Sequence, residues 1–224
     1  MTKGEETRAA VLEQAFAMAS RLGLEGLTIG NLAEAAGMSK SGLFAHFQSK
    51  EELQLQVLET AVERFIETVV APGLKEPRGE PRVRAFFERW MGWEQAKFQP
   101  GGCIFVATAN ELDDRPGPLR DRLVGYQRDW LQALATAARI AVEEGHFRPD
   151  LDVRQFAHDL YAVFLGYHYF SRLMRDPEAE ARARASFEAL LASSRAASGD
   201  SGRASSRAPS RSNPRPPTRA DLPV

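Results

Sequence analysis

The sequence predicts an all-α protein of about nine helices, and two patterns support this fold class. Apolar residues recur at intervals of three and four through most of the 224-residue chain, which is the period of a helix buried on one side. Helix-capping residues and glycines divide the chain into separate helices: Thr28, Ser39 and Asp152 precede apolar stretches, and Gly37 ends one.

A first helix is expected from Glu6 to Leu22, followed by two short ones. The first short helix begins after Thr28 and stops at Gly37, and the second runs from Lys40 to Phe47 after the capping Ser39. Two short helices that cross around a glycine-containing turn form the unit that places its second helix in the DNA major groove. The sequence therefore predicts a DNA-binding helix-turn-helix within an N-terminal three-helix domain.

A longer helix should follow immediately. Ser49 is its expected N-cap, and Glu52, three residues later, completes the pattern of a capping box. Its apolar residues continue to about Val70, which makes it long enough to connect two domains. The proline- and glycine-containing stretch from Ala71 to Pro81 is the clearest internal linker.

The stretch from Leu27 to Leu53 resembles the TetR family of bacterial transcriptional regulators. The matching residues are Thr28, Leu32, Ala33, Ala36, Gly37, Ser39, Leu43, His46, Phe47, Ser49, Lys50, Glu51, Glu52 and Leu53. Met38, Ser41, Gly42 and Phe44 depart from the family pattern. The resemblance implies a homodimeric repressor with an N-terminal DNA-binding domain and a C-terminal helical ligand and dimerisation domain.

The expected organisation has four parts. These are a DNA-binding domain over residues 1–50, a connecting helix over about 50–70, a ligand-binding and dimerisation domain over 71–195, and a tail over 196–224. The serine-, arginine- and proline-rich tail has too few apolar residues for a core and is expected to be disordered. Its five arginines either add nonspecific DNA affinity or only keep the chain in solution.

Five helices are expected in the C-terminal part: Arg82 to Phe98, Cys103 to Leu112, about Leu119 to Glu144, Val153 to Arg175, and about Pro177 to Arg195. The fourth of them is apolar on more than one side, so it must be covered by another subunit or by a ligand as well as by its own core. The last two helices should pair as a hairpin. Two such hairpins would form a four-helix dimer interface, as the resemblance also implies.

The candidate DNA contacts lie on and around the second short helix: Thr28, Ser39, Lys40, Ser41, Gly42, Phe44, His46 and Lys50. Lys40 can donate to guanine or to a phosphate. The resemblance implies phosphate contacts for Thr28, His46 and Lys50; the alternative for Thr28 is a role as a helix cap alone. Phe44 stands where the family usually has tyrosine, which leaves an apolar contact, for example with a thymine methyl group.

A small, largely apolar effector is the expected ligand of the C-terminal domain, because pockets are mostly apolar with a few polar anchors. The candidate lining residues are Phe86, Trp90, Trp93, Phe105, Asn110, Tyr126, Trp130, Tyr161, Phe164 and His168. Each single aromatic residue among them is also consistent with an ordinary core position.

Composition narrows the class of protein. The net charge of −1 does not by itself indicate a nucleic-acid partner, so the DNA prediction rests on the motif. The single cysteine excludes an internal disulfide, and four scattered histidines give no metal-binding pattern, so we expect no metal, no cofactor and no enzyme activity. The lack of a membrane span or a signal peptide predicts a cytoplasmic protein.

Two other forms of control stay open. Cys103 could act as a redox switch, with the helix-turn-helix serving to tether the protein to DNA. Alternatively, another protein could bind at the aromatic helices with no small ligand. A buried, unreactive thiol is the simpler interpretation of Cys103, because free cysteine commonly behaves as a small core residue.

Overall fold

A computed structural model describes residues 2–196, except the side chain of Lys3, and all of its named elements are helical. The expectation of an all-α fold with nine helices is confirmed for this part of the chain. The helices are α1 Lys3–Leu22, α2 Ile29–Ala35, α3 Lys40–His46, α4 Lys50–Phe65 continued by Ile66–Val70 and Ala71–Leu74, α5 Glu80–Glu94, α6 Ile104–Leu112, α7 Pro118–Glu143, α8 Val153–His168 continued by Tyr169–Leu173, and α9 Ala179–Ser194. The predicted tail lies, from residue 197 onward, outside the described residues.

The turn between α2 and α3 is held by local caps. Thr28 Oγ1 accepts a hydrogen bond from the Asn31 amide at 3.1 Å, and Asn31 Oδ1 accepts one from the Thr28 amide at 2.8 Å. Gly37 has a φ of +62°, the left-handed conformation that glycine adopts without steric strain. Ser39 then caps α3 by accepting a hydrogen bond from the Gly42 amide at 3.0 Å.

The core of the first three helices depends on residues four apart. Leu43 and Phe47 are fully buried, as their spacing predicts, and they pack with Phe16 and Leu32 in the hydrophobic core. Without α1 the two short helices would have little apolar surface to pack against. The core therefore fixes which side of α3 faces outward.

Helix α4 differs from the prediction at both ends. Ser49 Oγ caps it through the Glu52 amide at 3.1 Å, but the Glu52 carboxylate accepts from the Gln48 amide at 2.9 Å and not from Ser49. The helix also runs past Val70 to Leu74, through a π-helical turn. Pro72, which has no amide hydrogen to donate, lies in the first turn of the last segment, directly after the π-helical turn.

The aromatic helix α5 ends at Glu94, four residues before the predicted Phe98. The chain turns there because the amides of Gln95 and Ala96 bond back to Met91 and Trp93, and the buried Gln99 side chain also donates to the Trp93 carbonyl. Phe98 consequently folds back and stacks on Phe16 of α1.

The remaining helices form a layer over α4. Helices α7 and α8 pack along each other, α9 packs on α8, and α7 also contacts α4 and α5. Asp152 caps α8 as predicted, with its Oδ1 accepting from the amides of Arg154 and Gln155. Within residues 2–196, no helix is both long enough and apolar enough to cross a membrane.

Candidate functional site

The outward side of α3 carries most of the predicted DNA contacts. Ser39, Lys40 and Ser41 are exposed, and the Ser39 and Ser41 hydroxyl oxygens lie 3.1 Å apart. Phe44 is 51% exposed, which is unusual for a phenylalanine and contrasts with the fully buried Phe47 on the same helix. We call the surface formed by residues 39–41 and Phe44 the α3 surface.

Lys40 and Thr28 converge beside Gly30. A Cβ atom built on Gly30 would lie 3.8 Å from both Lys40 Nζ and Thr28 Oγ1. The Thr28 oxygen already accepts the capping hydrogen bond, so the group left to contact an anion is its O–H. An ammonium and a hydroxyl that both lie near Gly30 are suitable contacts for phosphate oxygens, and Gly30 was not among the residues expected there.

The other predicted DNA contacts are placed differently. Gly42 is half-buried, and a Cβ on it would lie 3.2 Å from Ser39 Oγ, so this glycine relieves crowding under the cap. His46 is half-buried beside the Phe47 ring. Lys50 Nζ donates to the Glu25 carbonyl at 2.9 Å and to its carboxylate at 3.3 Å. Lys50 must break these bonds before it can contact a phosphate, so its predicted role as a ready phosphate contact is not supported.

A largely apolar cavity of about 120 Å³ lies between α4, α5, α6, α7 and α8. Its lining residues are Val62, Phe65, Ile66, Val70, Trp90, Cys103, Phe105, Val106, Tyr126, Gln127, Asp129, Trp130, Ala133 and Tyr161. The Tyr161 hydroxyl donates to Gln127 Oε1 at 2.6 Å, and burial is the main cause that raises the pKa of this phenol. The phenol therefore stays neutral at ordinary pH.

Five of the ten predicted pocket residues line this cavity: Trp90, Phe105, Tyr126, Trp130 and Tyr161. The structure places Phe86, Trp93 and Phe164 in the surrounding core, where Phe164 stacks on Trp90 at 4.2 Å between ring centroids. His168 is also outside the cavity, because its Nδ1 bonds to the buried Glu94 carboxylate at 2.9 Å.

The predicted pocket residue at the end of α6, Asn110, does not reach the cavity. Asn110 is exposed, so its predicted anchoring role is not supported. Glu111 instead contacts the DNA-binding half, where its carboxylate accepts from the Glu25 amide at 3.2 Å. A Cβ on Gly23 would lie 1.7 Å from Glu111 Oε1, so only glycine allows this approach, and burial raises the pKa of Glu111.

Sequence reasoning missed the lining residues of α4 and several of α7. Gln127 and Ala133 lie within one turn of Trp130 on α7, so helical periodicity from Trp130 provides a signal for them. The wall made by α4 includes the π-helical turn Ile66–Val70, and no local pattern marked it. Such turns occur frequently at functional sites.

Direct contacts join the cavity side of the molecule to the helix-turn-helix. Glu25, in the loop before α2, pairs with Lys50 at the start of α4 and, at 3.2 Å, with Arg115 after α6. Burial of Glu25 opposes its ionisation, but the hydrogen bond and charge of Lys50, with Gln54 and Arg115, hold its pKa below the ordinary value. The buried Gln54 side chain also donates to the Leu24 carbonyl at 2.7 Å.

The end of α8 presents an exposed apolar face. Its large exposed side chains are Leu165, Tyr169, Phe170, Leu173 and Met174, and Leu173 is 68% exposed. Contiguous exposed apolar patches of this kind commonly mark interaction surfaces. Among the described residues, no group of three or more His, Cys, Asp or Glu side chains could hold a metal ion.

Comparison with known proteins agrees with this arrangement. The family model for bacterial regulatory proteins of the tetR family matches residues 11–57, and the model for the tetracyclin repressor-like C-terminal domain matches residues 79–187. The transcriptional repressor KstR2 of Mycobacterium tuberculosis (strain ATCC 25618 / H37Rv) is 30% identical over 156 residues, which are 65% of this chain and 72% of that protein. The chain belongs to the TetR family.

Solved structures of TetR regulators share its fold. One from Chloroflexus aurantiacus J-10-FL superposes with a TM-score of 0.75 at 28% identity, over 86% of this chain and 96% of that chain. The regulator AibR, in a structure with isovaleryl coenzyme A and operator DNA, superposes with a TM-score of 0.65 at 22% identity, over 83% of this chain and 98% of that chain. At that identity the AibR likeness concerns the fold.

As a TetR-family member, the chain is a DNA-binding transcriptional repressor and not an enzyme. Helix α4 begins directly after the helix-turn-helix, and its later residues line the cavity. The helix-turn-helix makes the protein a DNA binder, while the use of the cavity requires a separate argument from its own residues.

Proposed function

We propose that the chain is a homodimeric repressor that binds a palindromic operator through α3 and leaves it when a small, largely apolar effector occupies the cavity. The DNA-binding part comprises residues 1–50, the connecting helix extends over about 50–70, and the ligand-binding and dimerisation part comprises residues 71–195. We further propose that it acts in the cytoplasm. AibR, crystallised with an acyl-coenzyme A and operator DNA, supports an effector-responsive function for this fold.

The observation that carries this proposal is the course of α4. Its first turn contacts the loop before α2 through Lys50 and Gln54, and its later residues Val62, Phe65, Ile66 and Val70 line the cavity. A ligand that moves this wall therefore acts on an element that also positions the helix-turn-helix. A wider, more open depression beside Glu88 and Arg89 contacts α4 only near the wall, through Thr68, so we assign the effector to the less open, more apolar cavity.

The effector would act by shifting a population between two dimer arrangements. Two recognition helices must lie about 34–36 Å apart, or a multiple of that spacing, to enter successive major grooves on one side of DNA. An effector that binds better to a dimer with another spacing weakens operator binding by the ratio of its affinities for the two arrangements.

The exposed apolar face of α8 supports dimerisation through the last two helices. Burying the side chains of Tyr169, Phe170 and Leu173 against the same side chains of a second copy would remove apolar surface from water. A twofold axis makes such a face self-complementary.

The test is binding of the purified protein to DNA from upstream of its own gene, compared with random DNA of equal length at low salt. We expect a preference for the upstream DNA, with one dimer per site by light scattering. Equal affinity for both DNAs would contradict operator recognition. A monomer at micromolar concentration would contradict the dimer.

The structure gives less support to the two other forms of control. Cys103 is 2% exposed, its sulfur accepts from Trp93 Nε1 at 3.4 Å, and burial raises the pKa of the thiol to about 12, so little reactive thiolate forms. A largely apolar cavity of about 120 Å³ among the aromatic helices also favours a small ligand over a partner protein. If Cys103→Ser abolished an oxidant-dependent release of DNA, redox control would replace our proposal.

A further inference from the structure

We propose that the cavity selects a small, uncharged, mostly apolar molecule with a hydrogen-bond acceptor, such as a ketone or ether oxygen, held by Trp130 Nε1. The inference rests on the proposed function, because it specifies the chemical class of the effector. Three features of the cavity carry it: its size, a buried donor without a partner, and the charges of its lining.

The volume sets the size of the ligand. A cavity of about 120 Å³ is somewhat smaller than the engineered apolar cavity of about 150 Å³ that binds benzene. The ligand portion that enters it is therefore about one ring with a short substituent. Larger molecules would require the lining helices to move.

Trp130 supplies the specific polar contact. The residue is 7% exposed, it lines the cavity, and its buried Nε1 has no hydrogen-bond partner among the described residues. The indole ring is held edge-on to Phe65, with ring centroids 5.0 Å apart, and edge-on to Phe86 at 5.4 Å. Neighbouring atoms cover Nε1 almost completely, so a ligand acceptor reaches this N–H only when a lining side chain moves. A buried donor without a partner is unfavourable, so an acceptor that reaches it gains affinity over an apolar molecule of the same shape.

Two of the other polar groups that line the cavity already have partners. The Tyr161 hydroxyl donates to Gln127, and the Cys103 sulfur accepts from Trp93. Burial keeps both the Tyr161 phenol and the Cys103 thiol neutral by raising their pKa values. These groups therefore add shape and moderate polarity without a charge that would pair with an ionic ligand.

Charge excludes acidic ligands. The lining contains no Lys, Arg or His side chain, and its one acidic residue, Asp129, is half-buried. A carboxylate in the cavity would lose its hydration without gaining a cationic partner, and it would be repelled by Asp129. An ammonium ligand could pair with Asp129 only at a partly solvated position, where the attraction is weak, and its charge would oppose the Trp130 N–H dipole.

The closing experiment compares isosteric probes by titration calorimetry on the full-length protein. Acetophenone carries a ketone oxygen where α-methylstyrene carries a methylene group. We expect acetophenone to bind at least about tenfold more tightly. Benzoate and benzylammonium should bind at least about tenfold more weakly than acetophenone.

Two variants test whether the Trp130 N–H causes the preference for acetophenone. Trp130→Phe removes the N–H and keeps an aromatic ring, so the ratio of the two affinities should fall to about one. Trp93→Phe makes the same chemical change at a residue whose N–H is committed to Cys103, so it should keep the wild-type ratio. Thermal melts check that both variants fold, and the wild-type comparison requires no variant.

Several outcomes would overturn the inference: equal affinity for the two neutral probes, no binding of either one, tightest binding of a charged probe, or a preference that survives Trp130→Phe. These failures are distinguishable from failure of the proposed function, because preferential binding to upstream DNA is measured separately without any probe. If the protein preferred upstream DNA but did not bind acetophenone more tightly than α-methylstyrene, only the proposed chemical class of the effector would be wrong.

Discussion

The α3 surface and the cavity are built in opposite ways. The α3 surface occupies a few consecutive residues of one short helix, is exposed, and carries Lys40 and two serine hydroxyls. The cavity is enclosed by five helices, its lining extends from Val62 to Tyr161, and its specific donor is one buried N–H. Changes on α3 should therefore alter function without altering the fold, whereas changes around the cavity affect packing as well as binding.

The largest expected effect distinguishes a residue at the end of α3 that stabilises the fold from a residue on α3 that contacts DNA. Phe47→Ala empties a fully buried site and should lower the free energy of unfolding by about 3–5 kcal/mol. Phe44→Ala, three residues earlier and half exposed, should change it by less than about 0.5 kcal/mol while weakening operator binding. Urea denaturation and DNA titration measure the two quantities. Equal destabilisation by both changes would show that Phe44 belongs to the core.

A filled cavity provides the next test. Ala133→Phe introduces a ring into the lining and should reduce acetophenone affinity by more than about 100-fold, because the ligand and the new side chain compete for one space. Titration calorimetry measures the loss. Ala10→Phe makes the same change at an exposed position of α1 and serves as the control. Undiminished acetophenone binding in Ala133→Phe would place the ligand elsewhere.

Removal of one charge from the α3 surface should have a smaller effect. Lys40→Ala is expected to weaken operator binding about tenfold and to reduce the slope of log affinity against log salt by about one, if its ammonium contacts a phosphate. Fluorescence anisotropy at several salt concentrations gives both values. Lys75→Ala, an exposed lysine at the far end of α4, should leave them unchanged. A large loss of affinity with an unchanged slope would indicate a base contact instead.

The smallest expected effect concerns the contacts of Glu25 with Lys50 and Arg115, which join the helix-turn-helix to the cavity side of the molecule. Glu25→Gln removes the carboxylate charge that pairs with both Lys50 and Arg115, and it should lower stability by less than about 1 kcal/mol, because these groups are partly exposed. The freed Lys50 should raise operator affinity about twofold to threefold by contacting a phosphate.

The difference in stability between wild type and Glu25→Gln should depend on pH through the pKa of Glu25. Because that pKa is lowered on folding, the stabilisation is present above about pH 4.5, the ordinary value, and is lost as the pH falls through the folded-state value. Denaturation curves of wild type and Glu25→Gln should therefore differ at pH 7 and converge in acid. A difference that grows in acid would contradict the assignment.

Contacts between residues close in sequence could be predicted from the sequence, whereas contacts between distant residues could not. Thr28, Ser39 and Asp152 were predicted as caps because capping bonds join residues two or three apart. Lys50 was expected at a phosphate, but its ammonium bonds to Glu25, 25 positions away in sequence. Asn110 and His168 were expected in the pocket, but both lie outside it.

By itself, the sequence determined the all-α class, the helix-turn-helix and the outward side of α3, because helix period, caps and the glycine turn act over a few residues. The tertiary structure alone decided the course of the α4 wall through a π-helical turn, the orphan N–H of Trp130, and the pairing of Glu25 with both Lys50 and Arg115. Each of these depends on which distant side chains meet, and that is set only when the helices pack together.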